Sequence, residues 1–342
     1  MPHTSSNLTV CPFPFTCDVY EGCTHRCKYC FANARLKAGE REAFQRVKRG
    51  ESLKDVEKFV GGYRTERDSW CDWAAPIRFG ANSDPFQPCE KRDGVMLSIL
   101  KLLARKGYPF LVTTKGATLA ASPEYLAVLK DCNCVVQISM SSPLMDVLEP
   151  GAPKYEDRLR AVEALAKAVP RVMARWQPFL FEHTARALAE VPRLAAAGAH
   201  GVLVETLFGS RFKVGSMQMK SGSRWYYPRE VAERCFSQIR ERAHKCGLLF
   251  TCSSLRKLSD AACCCTGDDM PGWIPNRCNA VYYHLRPKEY SATERQRAIG
   301  TGDVFNIVSH DRANMFDLKS KSFVECMERI CKTEITKEDM MY

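Results

Sequence analysis

Three cysteines stand in the stretch YEGCTHRCKYCFAN, residues 20–33: Cys23, Cys27 and Cys30, with three residues and then two between them. Thiolates at such short spacing bind metal, and structural zinc and most iron–sulfur clusters take four protein ligands. Three thiolates on a four-iron cubane leave one iron without a protein ligand, which is useful when a substrate or cofactor must bind the metal directly. The alternative is a closed zinc site with Cys17, Cys11 or His25 as fourth ligand. A disulfide framework fits less well, because the 18 cysteines are spread among predicted helices and strands rather than framing small loops.

A second thiol-rich stretch, CSSLRKLSDAACCCTGDDMPGWIPNRC, holds Cys252, Cys263, Cys264, Cys265 and Cys278. Three adjacent cysteines cannot all face one way, but two of them with Cys252 and Cys278 could hold a second [4Fe–4S] cluster. Zinc, or thiols with no metal, are the alternatives. Between these groups runs GSRFKVGSMQMKSGSRWYYPR, residues 209–229, with Arg211, Lys213, Lys220, Arg224 and Arg229, no acid, and Trp225, Tyr226 and Tyr227. Basic groups can track phosphates while aromatic faces stack on unpaired bases. The opposing reading is a solvated loop whose aromatics fold back on the protein. The formal charge of +11 over 342 residues points to a polyanionic partner without requiring one.

These groups need a scaffold. From residue 76 short apolar runs, 76–81, 110–114, 134–140, 171–177 and 201–206, alternate with segments whose apolar residues recur three or four apart. A repeated strand–helix unit builds a parallel sheet with right-handed crossovers. A first strand within residues 8–20 gives about six units, and LLFTCSS at 248–254 could add a seventh strand. The expected fold class is α/β, either a partial barrel or a doubly wound sheet; in both, ligands bind at the carboxyl ends of the strands. Residues 32–75 read as a charged insertion, 1–247 as the strand–helix domain and 248–342 as a Cys-rich C-terminal extension. No apolar run approaches the ~18 residues that cross a bilayer, and MPHTSSNLTV lacks a secretion signal, so a cytoplasmic location is expected.

The triad, with Tyr29 just before its last cysteine, resembles the signature of the radical S-adenosylmethionine (SAM) superfamily. That resemblance implies a partial (β/α)6 barrel and a [4Fe–4S] cluster whose open iron chelates SAM. An electron from the cluster then cleaves SAM to a 5′-deoxyadenosyl radical. It also implies a reductant such as flavodoxin or ferredoxin. GANSDPFQPCEKR at 80–92, VTTKG at 112–116, QISMSS at 137–142 and LEPGAPKYEDRLRAVEAL at 148–165 resemble the spore photoproduct lyase-like branch.

The family pattern places Tyr29 near adenine and the turn of Asn82, Ser83 and Asp84 at the amino group of SAM. Ser139 and Ser141 fall near its ribose or carboxylate, and Arg158 near the carboxylate or on a solvated helix face. Lys115 and Gln177, at strand ends, are expected to face the cavity, and Glu205 is either a polar cavity residue or half of an internal ion pair. Lyases of this branch use a cysteine to return a hydrogen atom to the product, for which Cys89 and Cys71 compete, each with a purely structural reading. Arg211, Lys213, Lys220, Arg224, Trp225 and Tyr226 would meet nucleic acid. The implied reaction is hydrogen abstraction from a base or base modification, as in repair of a thymine lesion or rearrangement of a modified pyrimidine. Its rivals are radical chemistry on a peptide or small metabolite and a non-catalytic, zinc-stabilised nucleic-acid-binding protein.

Overall fold

The structure, a computed structural model, describes residues 1–273 other than 5–10, 12, 14, 35, 37–39, 41–43, 45, 66–67, 69–73, 208–212, 214, 223, 262 and 268. Seven strands lie parallel and in sequence order: β1 (Phe15–Cys17), β2 (Ile77–Phe79), β3 (Phe110–Thr114), β4 (Cys134–Ser139), β5 (Arg171–Phe179), β6 (Gly201–Thr206) and β7 (Leu249–Thr251). His3–Thr4 adds a short antiparallel edge beside β1. β7 pairs with β6, so the sheet runs past residue 247, and the seventh strand expected at 248–254 is formed.

The crossovers carry α1 (Leu53–Val60), α2 (Val95–Lys106), α3 (Pro123–Leu129), α4 (Tyr155–Ala166), α5 (Thr184–Ala196) and α6 (Arg229–Lys245). Their apolar stripes cover one face of the sheet and form the main core, with Ile99, Leu103, Val162, Val191 and Ile239 against Phe79, Phe110, Ile138 and Trp176. This is the arrangement that repeated strand–helix units require.

The other face is concave. Phe13, just before β1, stacks edge-on with Trp273, beyond β7, at 5.0 Å between ring centroids. Trp273 belongs to a segment that passes under the strand starts, where Phe13, Leu111 on β3, Val135 on β4 and Met173 on β5 meet it in one cluster, so the sheet curls around that segment. β1 and β7 do not pair, and the curl is therefore open.

Inside it, the strand starts carry a small apolar cluster of Phe13, Leu111, Val135 and Met173 with Cys263, Cys265, Met270 and Trp273. Cys263, Cys265, Met270 and Trp273 form this floor. Arg171 fastens them through Asp269 at 2.5 Å and the Thr266 carbonyl, and Asn133 binds the Pro271 carbonyl at 2.7 Å.

One buried carboxylate organises the start of α2. Glu90, inaccessible to solvent, accepts the N–H groups of Met96 at 3.0 Å and Leu97 at 2.9 Å, and the hydroxyls of Tyr125 at 2.7 Å and Tyr20. Two otherwise unpaired donors of the helix N-terminus are thereby met by a negative charge that the helix dipole favours. Burial, then the bond to Glu90, pushes both tyrosine hydroxyls well above their ordinary value. The Glu of DPFQPCEK is thus a helix cap and a link from β1 to α3. Glu90→Ala should strand four buried donors and cost at least ~3 kcal/mol, read as a fall of about 6 °C or more in Tm.

Candidate active site

The cysteine loop leaves the carboxyl end of β1; Tyr20–Glu21 pairs antiparallel with Lys48–Arg49 and the Cys23 N–H donates to the Phe44 carbonyl at 2.9 Å, but past Glu21 no described strand holds it. Gln87, fully buried in the turn after β2, does so instead: its Oε1 accepts the N–H of Thr24 at 3.1 Å and its Nε2 donates to the carbonyl of Gly22 at 3.1 Å. The amide acts as a strand edge, gripping the backbone on both sides of Cys23. His25 provides the second anchor, with Nε2 3.1 Å from Asp84 Oδ2 and Nδ1 3.0 Å from the Gly151 carbonyl.

The third anchor is the loop after β4. Its Leu148 carbonyl accepts from Lys28 N–H and its Gly151 N–H donates to the His25 carbonyl, both at 2.9 Å. A Cβ at Gly151 would press into the Thr24 and His25 carbonyls, so only glycine permits this approach. Arg26 takes the left-handed conformation, φ 53°, which turns the chain back between Cys23 and Cys27.

Asp84 is the centre of the turn. Besides His25, its carboxylate accepts from Thr114 Oγ1 at 2.6 Å and from the N–H groups of Phe86 at 2.9 Å, Lys115 at 2.6 Å and Gly116 at 3.3 Å. Burial alone would raise its pKa, but His25 and these donors outweigh it and hold the carboxyl below the usual range. Asp18, following β1, receives the N–H groups of Ala81, Asn82 and Ser83 and the side-chain amide of Asn82. Asn82, Ser83 and Asp84, expected at the cofactor, therefore also build the turn that presents it, and their donors are spent on the protein.

Next to the loop lies a buried ionic group. Glu149 pairs with Arg158 at 2.5 Å, accepts the Tyr29 hydroxyl and stands 3.9 Å from Lys115 Nζ. Arg158 is not a solvated helix residue: it is 1% exposed and also donates to the carbonyls of Ser139 and Pro153, each at 2.7 Å. Its expected role on a cofactor carboxylate is met within the chain by Glu149. Lys115 Nζ reaches Ser139 Oγ at 3.2 Å and lies over the Tyr29 ring, 5.6 Å from its centroid. Ser141 is turned away, donating to the Pro178 carbonyl at 2.9 Å. Burial, reinforced by Glu149, raises the Tyr29 hydroxyl.

The three thiols suit an iron–sulfur cluster in one further respect. The backbone N–H groups of His25 and Asp84 face the Cys23 sulfur, and the Asn33 N–H points at Cys30 Sγ, 3.4 Å away. Such donors stabilise thiolate bound to iron. In the protein alone, burial pushes Cys23 up to about 12 and Cys27 up to about 11, with Lys115 opposing the rise at Cys27. Among the described residues no three His, Cys, Asp or Glu side chains converge as ligands of a single ion; in a cubane each thiolate binds a different iron.

The remaining expected residues fall elsewhere. Cys89 packs against the main core, where burial raises its thiol. Cys263 and Cys265 lie in the floor of the concave face with Cys11 and Cys264 beside them, at the opposite ends of the strands from the triad. Cys252 turns its thiol to the Leu255 carbonyl at 3.1 Å. Lys213 stands over Trp225, 5.3 Å from the ring centroid, beside an antiparallel hairpin of Met219–Ser221 and Arg224–Tyr226 that exposes Lys220 and Tyr226. Gln177 binds Arg175, and Glu205 accepts the Ser253 N–H. Cys71, Arg211 and Cys278 lie outside the described residues, and Arg224 is described only as part of its strand. Gln87, Glu149 and Asp18 were not singled out from the sequence; the one signal for Gln87 and Glu149 was their place inside the DPFQPCEK and LEPGAPKY stretches.

Residues 18–176, a little under half of the chain, match the family model of the Radical SAM superfamily. Two uncharacterized mycobacterial proteins, Mb2609c of Mycobacterium bovis and Rv2578c of Mycobacterium tuberculosis, are each 29% identical over 213 residues, covering 59% of this chain and 60% of theirs. The match thus spans less than two thirds of those relatives. A solved structure, "Native anSMEcpe with bound AdoMet and Cp18Cys peptide", aligns with 67% of this chain and 58% of its own at 11% identity and a TM-score of 0.42. Gln87→Ala should release the backbone around Cys23, and iron retained after anaerobic reconstitution and a chelator challenge should fall at least twofold below that of the unaltered protein.

Proposed function

We propose that this protein, whose residues 18–176 match the Radical SAM family model, is an enzyme. In this reading Cys23, Cys27 and Cys30 hold an iron–sulfur cluster that works with SAM to remove a hydrogen atom from a substrate carbon. The observation that carries this reading is the fastening of the three-thiol loop by Gln87, His25 and Gly151, at the carboxyl ends of the strands and beside the Tyr29–Glu149–Arg158–Lys115 group. When bound, cluster and SAM supply one-electron cleavage of a sulfonium and, through it, hydrogen-atom abstraction.

The chain's own residues do the rest. Gln87 and the Asp84–His25 pair fix the thiol loop, and Tyr29 with Lys115 and Ser139 forms the wall between that loop and the concave face. The curled sheet encloses the reacting carbon, which matters because a carbon radical attacks whatever lies within contact distance.

The concave face favours a substrate small enough to enter it. A second reading, nucleic acid with chemistry like that of the spore photoproduct lyase-like branch, is favoured by the exposed basic hairpin with Lys213 on Trp225. It would require a base extruded from its stack. A second cluster on the thiols of Cys263, Cys264 and Cys265 is supported by their proximity to each other and to Cys11.

Reduced, reconstituted protein should convert SAM to 5′-deoxyadenosine and methionine, and Cys27→Ser should lower that rate at least a hundredfold. Intact protein with no cleavage would end the enzyme reading. Binding of single-stranded oligonucleotide that weakens steeply with salt, and weakens further in Lys213→Glu, would favour the second reading; its absence would favour the first. Metal analysis should give about eight irons per chain with a second cluster and about four without one.

A further inference from the structure

The concave face carries a charged feature that the cysteine loop does not use. Arg78 on β2 and Arg175 on β5 both point into it and are close enough to repel each other. Among the described residues Arg78 makes no hydrogen bond and no ion pair, and its Nε is buried without an acceptor. Arg175 donates only to neutral amide oxygens, Gln137 Oε1 at 2.7 Å and Gln177 Oε1. Gln137, wholly buried, has that same oxygen also taken by Thr113 at 3.3 Å, and its Nε2 has no acceptor at all.

The acid that acts on Arg175 is Glu205; it forms no ion pair with either arginine and accepts the Ser253 N–H. Cys264 and Cys265 stand near Arg175 from the floor, and neither forms a hydrogen bond with it. Two guanidiniums that cannot shed a proton at neutral pH thus share a partly desolvated space with unfilled donors. Such an arrangement is costly unless an anion completes it.

The space is open to solvent. Arg78, Thr113, Lys115, Arg175 and Gln177 sit in or at the ends of strands whose other face is covered by helices, yet each keeps partial exposure. We propose that Arg78, Arg175 and the Gln137 amide are the recognition site for an anionic group, carboxylate or phosphate, of a small substrate of this enzyme. The inference rests on the reading of the concave face as the substrate chamber.

Depth selects against a polymer. Arg175 and Gln137 each lie two residues below Gln177 and Ser139, about 7 Å further from the mouth. An acidic group that reaches them leads the molecule in, and its reacting carbon then trails toward the triad. A flipped base would instead leave its phosphates at the rim. Guanidiniums pair with both carboxylate and phosphate in bidentate fashion, so the two are separated by experiment.

The test is thermal melting of the iron-loaded protein in buffer free of small anions, with inorganic phosphate or acetate titrated in. Phosphate or acetate should raise the Tm of the unaltered protein by about 5 °C at a hundredfold excess over its Kd, and the stronger of the two identifies the group. Arg78→Met should be at least as stable as the unaltered protein without anion and should bind it at least tenfold more weakly, with Arg78→Lys recovering part of the response. A Tm lowered by Arg78→Met without anion would mean that Arg78 has a structural partner and would overturn the proposal. So would an unaltered protein indifferent to both anions, or a response that Arg78→Met retains, which marks surface binding. A retained anion response in protein that never cleaves SAM would remove the enzyme reading and leave the anion site standing.

Discussion

A loop of thiols must be held beyond the short strand pair and the Phe44 carbonyl that support its start, and here the side-chain amide of Gln87 does so together with the buried Asp84–His25 pair. Backbone polar groups at the edge of a sheet need partners. Gln87 supplies an acceptor and a donor at the spacing a neighbouring strand would have used. Asp84 gathers a hydroxyl and three backbone N–H groups from the turns after β2 and β3, so the turns that carry the anchors are themselves anchored. If either hold slackened, the three sulfurs would lose their common frame, and with it any metal they share.

The concave face is graded along its depth. At the strand starts it is apolar and plugged by Cys263, Cys265, Met270 and Trp273; in the middle it holds Arg78, Thr113, Gln137 and Arg175; at the carboxyl ends it meets Lys115, Ser139 and the thiol loop. Parallel strands alternate their side chains, so this gradient costs the main core nothing: every second residue of β3, β4 and β5 still faces the helices. Charge is compensated at the mouth, where Glu149 meets Arg158, and is left in surplus in the middle. A closed hydrophobic interior would be the cheaper solution for stability alone.

Much of the scaffold was legible in the sequence, because apolar periodicity reports burial directly. The strands at 110–114, 134–139, 171–179 and 201–206 and the helices between them lie where the alternation put them. The triad stood out by residue type and spacing, whereas the turn after β2, whose residues would suit any turn, stood out only by its likeness to a family pattern. Arg158 was not: a basic residue in the first turns of a helix reads as solvated or ligand-bound, and only three-dimensional packing shows that Glu149, nine residues earlier, reaches it. Gln87 and Glu90 escaped for the same reason. A polar residue in a turn carries no mark that it is buried, and their partners are contributed by separate segments of the chain. In the Cys-rich segment Cys252 turns to its own loop and Cys263 and Cys265 join the floor, while Cys278, the fourth thiol the sequence offered, lies outside the described residues.

The central claim is that the fastened thiols leave one coordination position open to SAM. Electron paramagnetic resonance of the reduced, iron-loaded protein measures this directly, because a ligand on the open iron alters the cluster's g-values. The account predicts a reduced-cluster signal that changes shape when SAM is added and returns when SAM is removed. A signal identical with and without SAM would contradict it.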